Sequence, residues 1–455
     1  MLLTVRSSGP MSGAGLICAG LALGLFVSSH AFGQSSDLVD LYKEALGSDP
    51  RLMVAEAEAD IYQARERFQR GALLPQANLG YQGNRTGRDS TGILGNELPR
   101  EYYDGERYNF ALTQVLYNKS TWEGYRLSRK EADQYAARFE DTENLVTVDL
   151  VDRYTKVLAA EDNLRFVIAE RQAAEKQLSQ IRARYERKLA MITDVLEVEA
   201  RVDRLRTDEL SAEYQVKLAR EGVSEIIGRE VDEPLAPLRD TILMGWDLSS
   251  PDPWIERGLA ENSGLMAARS AVKAAEAGLR QAQGARHPTV NLQLTAQKSD
   301  IGFENAQVPI NETYVASVNV SVPIFSGGRV SAQVAEARAR LRLAKQQMEG
   351  FERGLRKEIR EAFLNASSAY QRVAATRKAV VSAEKSYEAR QKGYQFGTVT
   401  VVDVLDAAEN LYGAQRDYRQ AYYDLMVQGI NLNNTAGSNA PSKIAELNNW
   451  LATDT

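Results

Sequence analysis

Apolar and polar residues alternate along two pairs of short segments, one pair in each half of the chain. The alternating apolar positions are Val290, Leu292, Leu294 and Ala296, then Tyr314, Ala316, Val318, Val320 and Val322, and, less regularly, Ala77, Leu79 and Tyr81, then Tyr108, Phe110 and Leu112. A period of two predicts a β-strand with one apolar face, and about ten residues is the length of a strand that crosses a membrane. The same pattern also fits a soluble sheet that packs its apolar face on a core.

Long tracts beside these segments are predicted to be helical. Proline is absent from residues 100–233 and 324–440, and both tracts are rich in Ala, Glu, Gln, Arg and Leu. One helix over residues 120–187 would be about 100 Å long. Apolar residues at a 3.5-residue spacing form a seam, interrupted at Glu161 and Glu209: Leu150, Tyr154, Val157, Leu164 and Ile168, then Val195, Val198, Val202, Leu205, Ala212 and Val216. Because the tracts are densely charged, we expect coiled coils in water.

The two halves of the chain repeat each other. A shift of 213 residues aligns Pro75 with Pro288, and a shift of 209 residues aligns Gly228 with Gly437. Composition alone does not align turn residues, so we infer an internal duplication.

The repeat predicts the domain organisation. We expect a signal peptide over residues 1–33, a first repeat over 34–230, a linker over 231–249, a second repeat over 250–437 and a C-terminal tail over 438–455. Each repeat contains a short helix (38–46 or 254–260), a longer helix (51–71 or 265–284), two strands and a long helical tract. The tract is interrupted once, near residues 189–193 or 397–402.

The first 33 residues have the features of a secretory signal peptide. Arg6 supplies a positive charge, residues 13–27 are apolar, and small residues precede a predicted cleavage site before Gln34, with cleavage before Phe32 as the alternative. Cys18 lies in a poor context for lipidation, so we interpret it as an inert residue of the apolar stretch. No later stretch reaches about 18 consecutive apolar residues, which predicts no membrane-spanning helix.

The composition narrows the chemistry of the mature chain. The sequence has 455 residues, a formal charge of −6, one cysteine and two histidines. Removal of residues 1–33 would leave no cysteine and only His287, which excludes disulfides, Cys/His metal sites and most histidine-based catalysis. An acidic chain with interspersed charges is also a poor nucleic-acid binder. We therefore expect no enzyme activity, no cofactor and no nucleic-acid partner.

The number of predicted strands per chain determines whether one chain could form a membrane barrel by itself. Four strands cannot close a barrel, and an open sheet edge in lipid leaves backbone groups unpaired at a cost of several kcal/mol each. A membrane location therefore requires several chains, each contributing four strands. The alternatives are a soluble periplasmic coiled-coil scaffold and a secreted enzyme. The enzyme lacks a recognisable nucleophile–base pair, metal triad or phosphate loop.

Three motifs carry a family resemblance: residues 394–407 (YQFGTVTVVDVLDA), their first-half equivalent 189–195 (LAMITDV), and the strand-to-helix junction 323–329 (PIFSGGR). Together, and in this order within a duplicated chain, they resemble the TolC family of outer-membrane efflux and secretion channels of Gram-negative bacteria. The resemblance implies a mixed α and β fold. Three chains would form one twelve-stranded transmembrane β-barrel, and their helices would continue it as a coiled-coil barrel through the periplasm.

The resemblance also implies a function and partners. The trimer would be a passive exit duct in the outer membrane, reaching into the periplasm and conducting small molecules or polypeptides. An inner-membrane transporter and a periplasmic adaptor would feed the duct, in an efflux pump or a type I secretion system.

Two groups of site residues follow from the resemblance. Asp403 and Asp406 match acidic rings at the channel constriction and, three residues apart, share one helix face, where six carboxylates of a trimer would attract cations. The alternative is that Asp403 caps its helix and Asp406 complements the helix dipole. Asp194 and Tyr394 match a hydrogen-bonded pair that helps hold the channel shut. The alternatives are that Asp194 is an N-cap residue and that Tyr394 is a surface tyrosine with its hydroxyl in water.

The interruptions of the two helical tracts, which the resemblance places at the periplasmic tip of the channel, also depart from the family pattern. Val399 stands where the family has an arginine, which removes one cationic lock between subunits. Lys188 replaces a glycine at the first-half tip, whereas Gly397 keeps its small residue at the second. Gly397, Thr398 and Lys188 are the predicted adaptor-facing residues.

Overall fold

The computed structural model describes residues 37–89, 91, 93, 95, 97–239, 246–300, 310–437 and 440–452, so the predicted signal peptide and its cleavage site lie outside the described residues. The elements of the first half are α1 (Leu38–Ser48), α2 (Pro50–Gly71), β1 (Gln76–Arg88), β2 (Glu101–Asn118), α3 (Lys119–Glu186) and α4 (Ile192–Ile227). Those of the second half are α5 (Asp252–Glu261), α6 (Ser263–Gly284), β3 (Thr289–Asp300), β4 (Asn311–Ser321), α7 (Arg329–Gln395), α8 (Val401–Thr435) and α9 (Ala440–Asn448). Apart from α9, the halves have the same order of elements.

The repeat extends to the residues that begin the helices. Asp49 and Asn262 are 213 positions apart, and each side chain accepts a hydrogen bond from a backbone N–H in the first turn of α2 or α6. Each therefore satisfies a donor that the helix itself leaves unpaired.

The two long helices match their prediction. α3 has 68 residues and α7 has 67, so each is about 100 Å long. Along the predicted seam, Leu150, Tyr154 and Val157 of α3 are buried, as are Val195, Val198, Val202, Leu205 and Ala212 of α4.

The two glutamates that interrupt the seam form ion pairs between α3 and α4. Glu161 of α3 pairs with Arg220 at 2.7 Å, and Glu209 of α4 pairs with Arg171 at 2.5 Å. A carboxylate is tolerated at these positions because the facing helix supplies a guanidinium.

The strands form one antiparallel sheet in the order β1-β2-β3-β4. Directly opposed residues share a face, and the register gathers apolar residues on one face and polar residues on the other. The apolar face carries Leu79, Tyr81, Tyr108, Phe110, Leu112, Leu292, Leu294, Val318 and Val320. The polar face carries Asn78, Gln82, Asn109, Thr113, Asn291, Gln293, Ser317 and Asn319. Most of the sheet is exposed, and among the described residues β1 and β4 each have one backbone edge that pairs with no other strand.

Among the described residues, the largest apolar cluster lies where α1, the middle of α3, the end of α4, α8 and α9 meet. Tyr154 is fully buried there, and its hydroxyl donates to the carbonyl oxygen of Ala236 at 2.8 Å. Desolvation by burial raises the pKa of Tyr154 well above its usual range, so the phenol stays protonated as a hydrogen-bond donor.

The linker and the C-terminal tail contribute to the same cluster, although sequence analysis treats them as separate segments. Leu238 and Leu451 form an antiparallel bridge, the Arg239 N–H donates to the Trp450 carbonyl at 2.9 Å, and the Ala452 N–H donates to the Pro237 carbonyl at 2.7 Å. The described parts of the linker and the tail therefore pair with each other and pack on the apolar cluster at the middle of α3.

Within the described parts of the chain, no helix combines the length and the apolar character needed to cross a membrane.

Candidate functional site

The candidate site lies at one end of the long helices. Here α3 turns into α4 through residues 187–191, and α7 turns into α8 through residues 396–400. One apolar cluster joins the two turns, and we call it the tip cluster: Ala174, Leu178, Ile181, Val195, Val198, Val202, Leu205, Val401 and Leu405. This cluster fixes the two helical hairpins side by side, so it positions every predicted site residue.

The two tip turns have the same backbone geometry despite different residues. Gly397 has φ +73° and Lys188 has φ +59°, both in the left-handed region. The Lys188 N–H donates to the Tyr185 carbonyl at 2.8 Å, and the Gly397 N–H donates to the Tyr394 carbonyl at 3.1 Å. The departure at Lys188 therefore leaves the turn intact but puts a residue with a Cβ in a strained conformation.

Replacing Lys188 with glycine should stabilise the protein. The left-handed conformation costs a residue with a Cβ about 1–2 kcal/mol, and glycine gives back part of that gain as unfolded-state entropy. We therefore expect Lys188→Gly to raise the free energy of unfolding by about 0.5–1 kcal/mol in a denaturant titration. The matched change Gly397→Ala should lower it by a similar amount, and equal stability of all three proteins would contradict the assignment.

Asp403 takes part in capping α8, as the alternative prediction expected, although the N-cap residue itself is Thr400. It is the third residue of α8, and its carboxylate accepts from the Thr400 N–H at 2.9 Å and the Thr400 hydroxyl at 2.7 Å. Thr400 is the N-cap residue, and its hydroxyl accepts from the Asp403 N–H at 3.3 Å, which completes a capping box.

The same carboxylate forms an ion pair across the hairpin. Arg390 of α7 lies 2.9 Å from it. The hydrogen bonds from Thr400, with the charge of Arg390, lower the pKa of Asp403. A lowered carboxyl pKa stabilises the fold above the unfolded-state pKa, and that contribution is lost as the pH falls through the folded-state pKa.

Asp406 lies one turn further along α8. It is exposed, and within the described residues it forms no hydrogen bond or ion pair. The structure thus distinguishes the two aspartates: Asp403 is held by its own chain, and Asp406 is free to meet an ion or another chain.

Tyr394 and Asp194 lie at the same tip but have separate partners in the described chain. Asp194 is in the first turn of α4 and accepts from the Met191 N–H at 3.3 Å. The Tyr394 ring packs against the tip cluster and lies under the Arg184 guanidinium, 4.9 Å from the ring centroid. The expected Tyr394–Asp194 hydrogen bond is not among the contacts of the described residues, so that pair stays a prediction.

Sequence analysis missed a group of exposed apolar residues at the tip. Phe396, with 82% of its surface exposed, is the largest, and the others are Leu189, Met191, Ile192 and Val402. They surround the predicted adaptor-facing residues Gly397, Thr398 and Lys188. Exposed apolar residues that cluster at one end of a molecule mark an interaction surface. The signal was present in the sequence, since these residues do not fit the 3.5-residue seam.

A buried ion cluster further along the helices was also missed. Glu170 of α3 is only 6% exposed, and it lies 2.9 Å from Arg201 of α4 and 3.5 Å from Arg416 of α8. Arg201 also pairs with Glu409 of α8 at 2.7 Å. Because three helices supply the charges, the cluster ties α8 to the α3–α4 pair, and no local sequence pattern reveals it.

Both halves of the chain match the same protein family. A sequence model of the family described as outer membrane efflux protein matches residues 41–229 and 254–438. The chain is similar to the outer membrane protein TolC of Vibrio cholerae, with 30% identity over 94% of this chain and 98% of that protein. It is also similar to the alkaline protease secretion protein AprF of Pseudomonas aeruginosa, with 26% identity over 88% of this chain and 84% of that one.

The fold has counterparts among solved structures. The Campylobacter jejuni CmeC outer membrane channel superimposes with a TM-score of 0.75, covering 97% of this chain and 98% of that chain at 14% identity. This likeness supports the arrangement of helices and strands described above.

Proposed function

We infer that this protein functions as an exit duct, because the chain belongs to the outer membrane efflux protein family. It is an exit duct located in the outer membrane of a Gram-negative cell and extending into the periplasm. The family resemblance drawn from the motifs is confirmed, and the soluble scaffold is not favoured.

The observation that carries the proposal is the sheet. Its apolar face is exposed and, within the described chain, β1 and β4 each have an edge that pairs with no other strand, so a single chain satisfies neither in lipid. Three copies joined edge to edge would bury every edge in one twelve-stranded barrel. The helices continue from the sheet with densely charged surfaces, which suits the wall of a water-filled tunnel.

We propose that the tip receives a periplasmic adaptor and an inner-membrane transporter. The apolar residues around Gly397, Thr398 and Lys188, Phe396 foremost, provide an area for a protein partner to bury. The relatives include an alkaline protease secretion protein, and others are named as cation efflux proteins. We therefore propose that the duct serves either efflux or type I secretion, with cargo chosen by its partners.

We propose that Asp403 and Asp406 form the constriction of the assembled duct, with Tyr394 and Asp194 among the contacts that keep it closed. The support is their position: all four lie at the end of the helices, held by the tip cluster. In a trimer, three free Asp406 carboxylates would converge on the axis, and the three Asp403 carboxylates would lie one turn away.

The constriction can be tested by ion block. We expect divalent or trivalent cations added on the periplasmic side to block single-channel conductance in a planar bilayer. Asp403→Ala combined with Asp406→Ala should abolish the block and leave trimers intact, because no carboxylate remains for the cation to bind. Asp406→Asn alone should remove most of it, since Asp403 is already neutralised by Arg390.

The alternative role gives a different result. If the aspartates only stabilise the start of α8, the double variant melts at a lower temperature and keeps its full cation block.

Tyr394→Phe should raise the resting conductance if the closed-state contact exists in the trimer. An unchanged conductance would show that Tyr394 does not help to close the channel.

A further inference from the structure

We infer that the junction between the two halves of one chain is the template for the junction between neighbouring chains. On this inference, which rests on the proposed trimer, β4 of one copy pairs antiparallel with β1 of the next in the register that β2 and β3 show within a chain. The partner is thus a second copy of this chain, and the register within one chain fixes which residues of the two copies face each other.

The equivalence of the strands comes from the two hairpins. Gln76 lies opposite Thr113 in the first hairpin, and Thr289 lies opposite Ser321 in the second. Gln76 and Thr289 differ by the 213 positions of the sequence repeat, so Thr113 and Ser321 are equivalent and differ by 208. Residues of β1 therefore correspond to residues of β3 by a shift of 213, and residues of β2 correspond by a shift of 208 to β4 and the residues that follow it.

The observed junction can then be transferred. Within the chain, Ala111 of β2 lies opposite Thr295 of β3. Their counterparts are Asn319 of β4 and Gln82 of β1, so Asn319 of one copy should face Gln82 of the next. In the same way, the pair Leu112 and Leu294 predicts that Val320 faces Tyr81.

The transferred register agrees with the chemistry of the side chains, which played no part in deriving it. It places Val320 opposite Tyr81 on the apolar face, and Asn319 opposite Gln82 on the polar face. A shift by one residue would pair the apolar face of one copy with the polar face of the next. Leu79, which is 80% exposed in the single chain, would gain Val322 as its neighbour.

The helices give a separate argument. Gly284 at the end of α6 lies so close to α3 that a Cβ there would be 2.7 Å from the Ser120 backbone nitrogen. The counterparts of these residues are Gly71 and Gly328. Within the described chain nothing lies within 4 Å of a Cβ at Gly71, so no contact inside the single chain requires glycine at this position. The inferred junction supplies one: the backbone at Gly328 of the next copy.

The strand register can be tested with cysteine pairs, since the chain has no cysteine after Cys18. Gln82→Cys and Asn319→Cys are introduced together, and outer membranes are oxidised and run on a non-reducing denaturing gel. Opposed Cα atoms lie about 4.5–5.5 Å apart, which suits a disulfide. Within one sheet β1 and β4 are three strand spacings apart, about 14 Å, so the bond can only join two copies.

The matched control pairs Asn84→Cys with Asn319→Cys, which shifts one partner by two residues on the same face. Diagonal neighbours lie about 7–8 Å apart, so we expect at least tenfold less cross-linked trimer than for the predicted pair. If native trimers form but the control pair cross-links better, or neither pair does, the register is wrong and the proposed duct still stands. If native mass measurement finds no trimer, the inference and the proposed assembly both fail.

The helix contact has its own test. Gly71→Leu should reduce the detergent-stable trimer about tenfold, because the side chain would occupy the space of the neighbouring backbone. Gly47→Leu is the control, since that glycine also has nothing within 4 Å of a Cβ but lies outside the inferred junction. Equal trimer yields for the two variants would overturn the helix contact.

Discussion

Arginine in place of Val318 should destabilise the membrane-inserted protein by about 2–4 kcal/mol if Val318 lies near the bilayer midplane. Val318 lies on the apolar face of β4, opposite Leu292, and 59% of its surface is exposed in the single chain. In the assembled barrel that surface would face lipid, where a guanidinium loses its hydration. Chemical unfolding from lipid bilayers, with folded and unfolded chains separated on a gel, measures the effect.

Ser317 provides the matched control. It neighbours Val318 in the same strand but lies on the polar face, opposite Gln293. Arginine at Ser317 would point into the water-filled lumen, so its cost should stay below about 1 kcal/mol. Equal costs at the two positions would contradict the assignment of the faces to lipid and lumen.

Glu170→Ala should lower the free energy of unfolding by about 3 kcal/mol. Glu170 is buried among three helices, and its removal leaves Arg201, which is 12% exposed, without its buried partner. Removing one partner of a buried ion pair costs more than the pair itself contributes, because the remaining charge stays desolvated. The loss should appear in denaturant unfolding of the detergent-solubilised protein.

Glu409→Ala is the control for this prediction. Glu409 pairs with the same Arg201 but is 52% exposed, so its loss should cost less than about 1 kcal/mol. If both variants lose the same free energy of unfolding, burial does not determine the strength of the ion cluster. The cluster would then not be what holds α8 to the α3–α4 pair.

Much of the fold follows from periodicity. The period-two segments became the four strands, and the 3.5-residue spacing gave the buried seam between α3 and α4. These patterns are predictive because each is set by the geometry of one element. The partners of Glu161 and Glu209 were not predictable, because the arginines that pair with them lie 38 to 59 positions away, on the facing helix.

The site was predicted less completely than the fold. Motif matching brought Asp403, Asp406, Tyr394 and Asp194 to one tip, but it could not tell that Arg390 and Thr400 hold Asp403 while Asp406 remains free. That difference depends on where α7 ends relative to the start of α8. The contact between the linker and the tail was invisible for a similar reason, since Leu238 and Leu451 are more than 200 positions apart.

Native mass spectrometry shows directly whether this chain forms a trimer in the outer membrane. The protein is extracted in detergent from the outer-membrane fraction, and its mass is compared with that of one mature chain. We expect a species of three chains, because a closed ring of sheets buries the edges of β1 and β4. A single chain recovered from the soluble periplasmic fraction would contradict it.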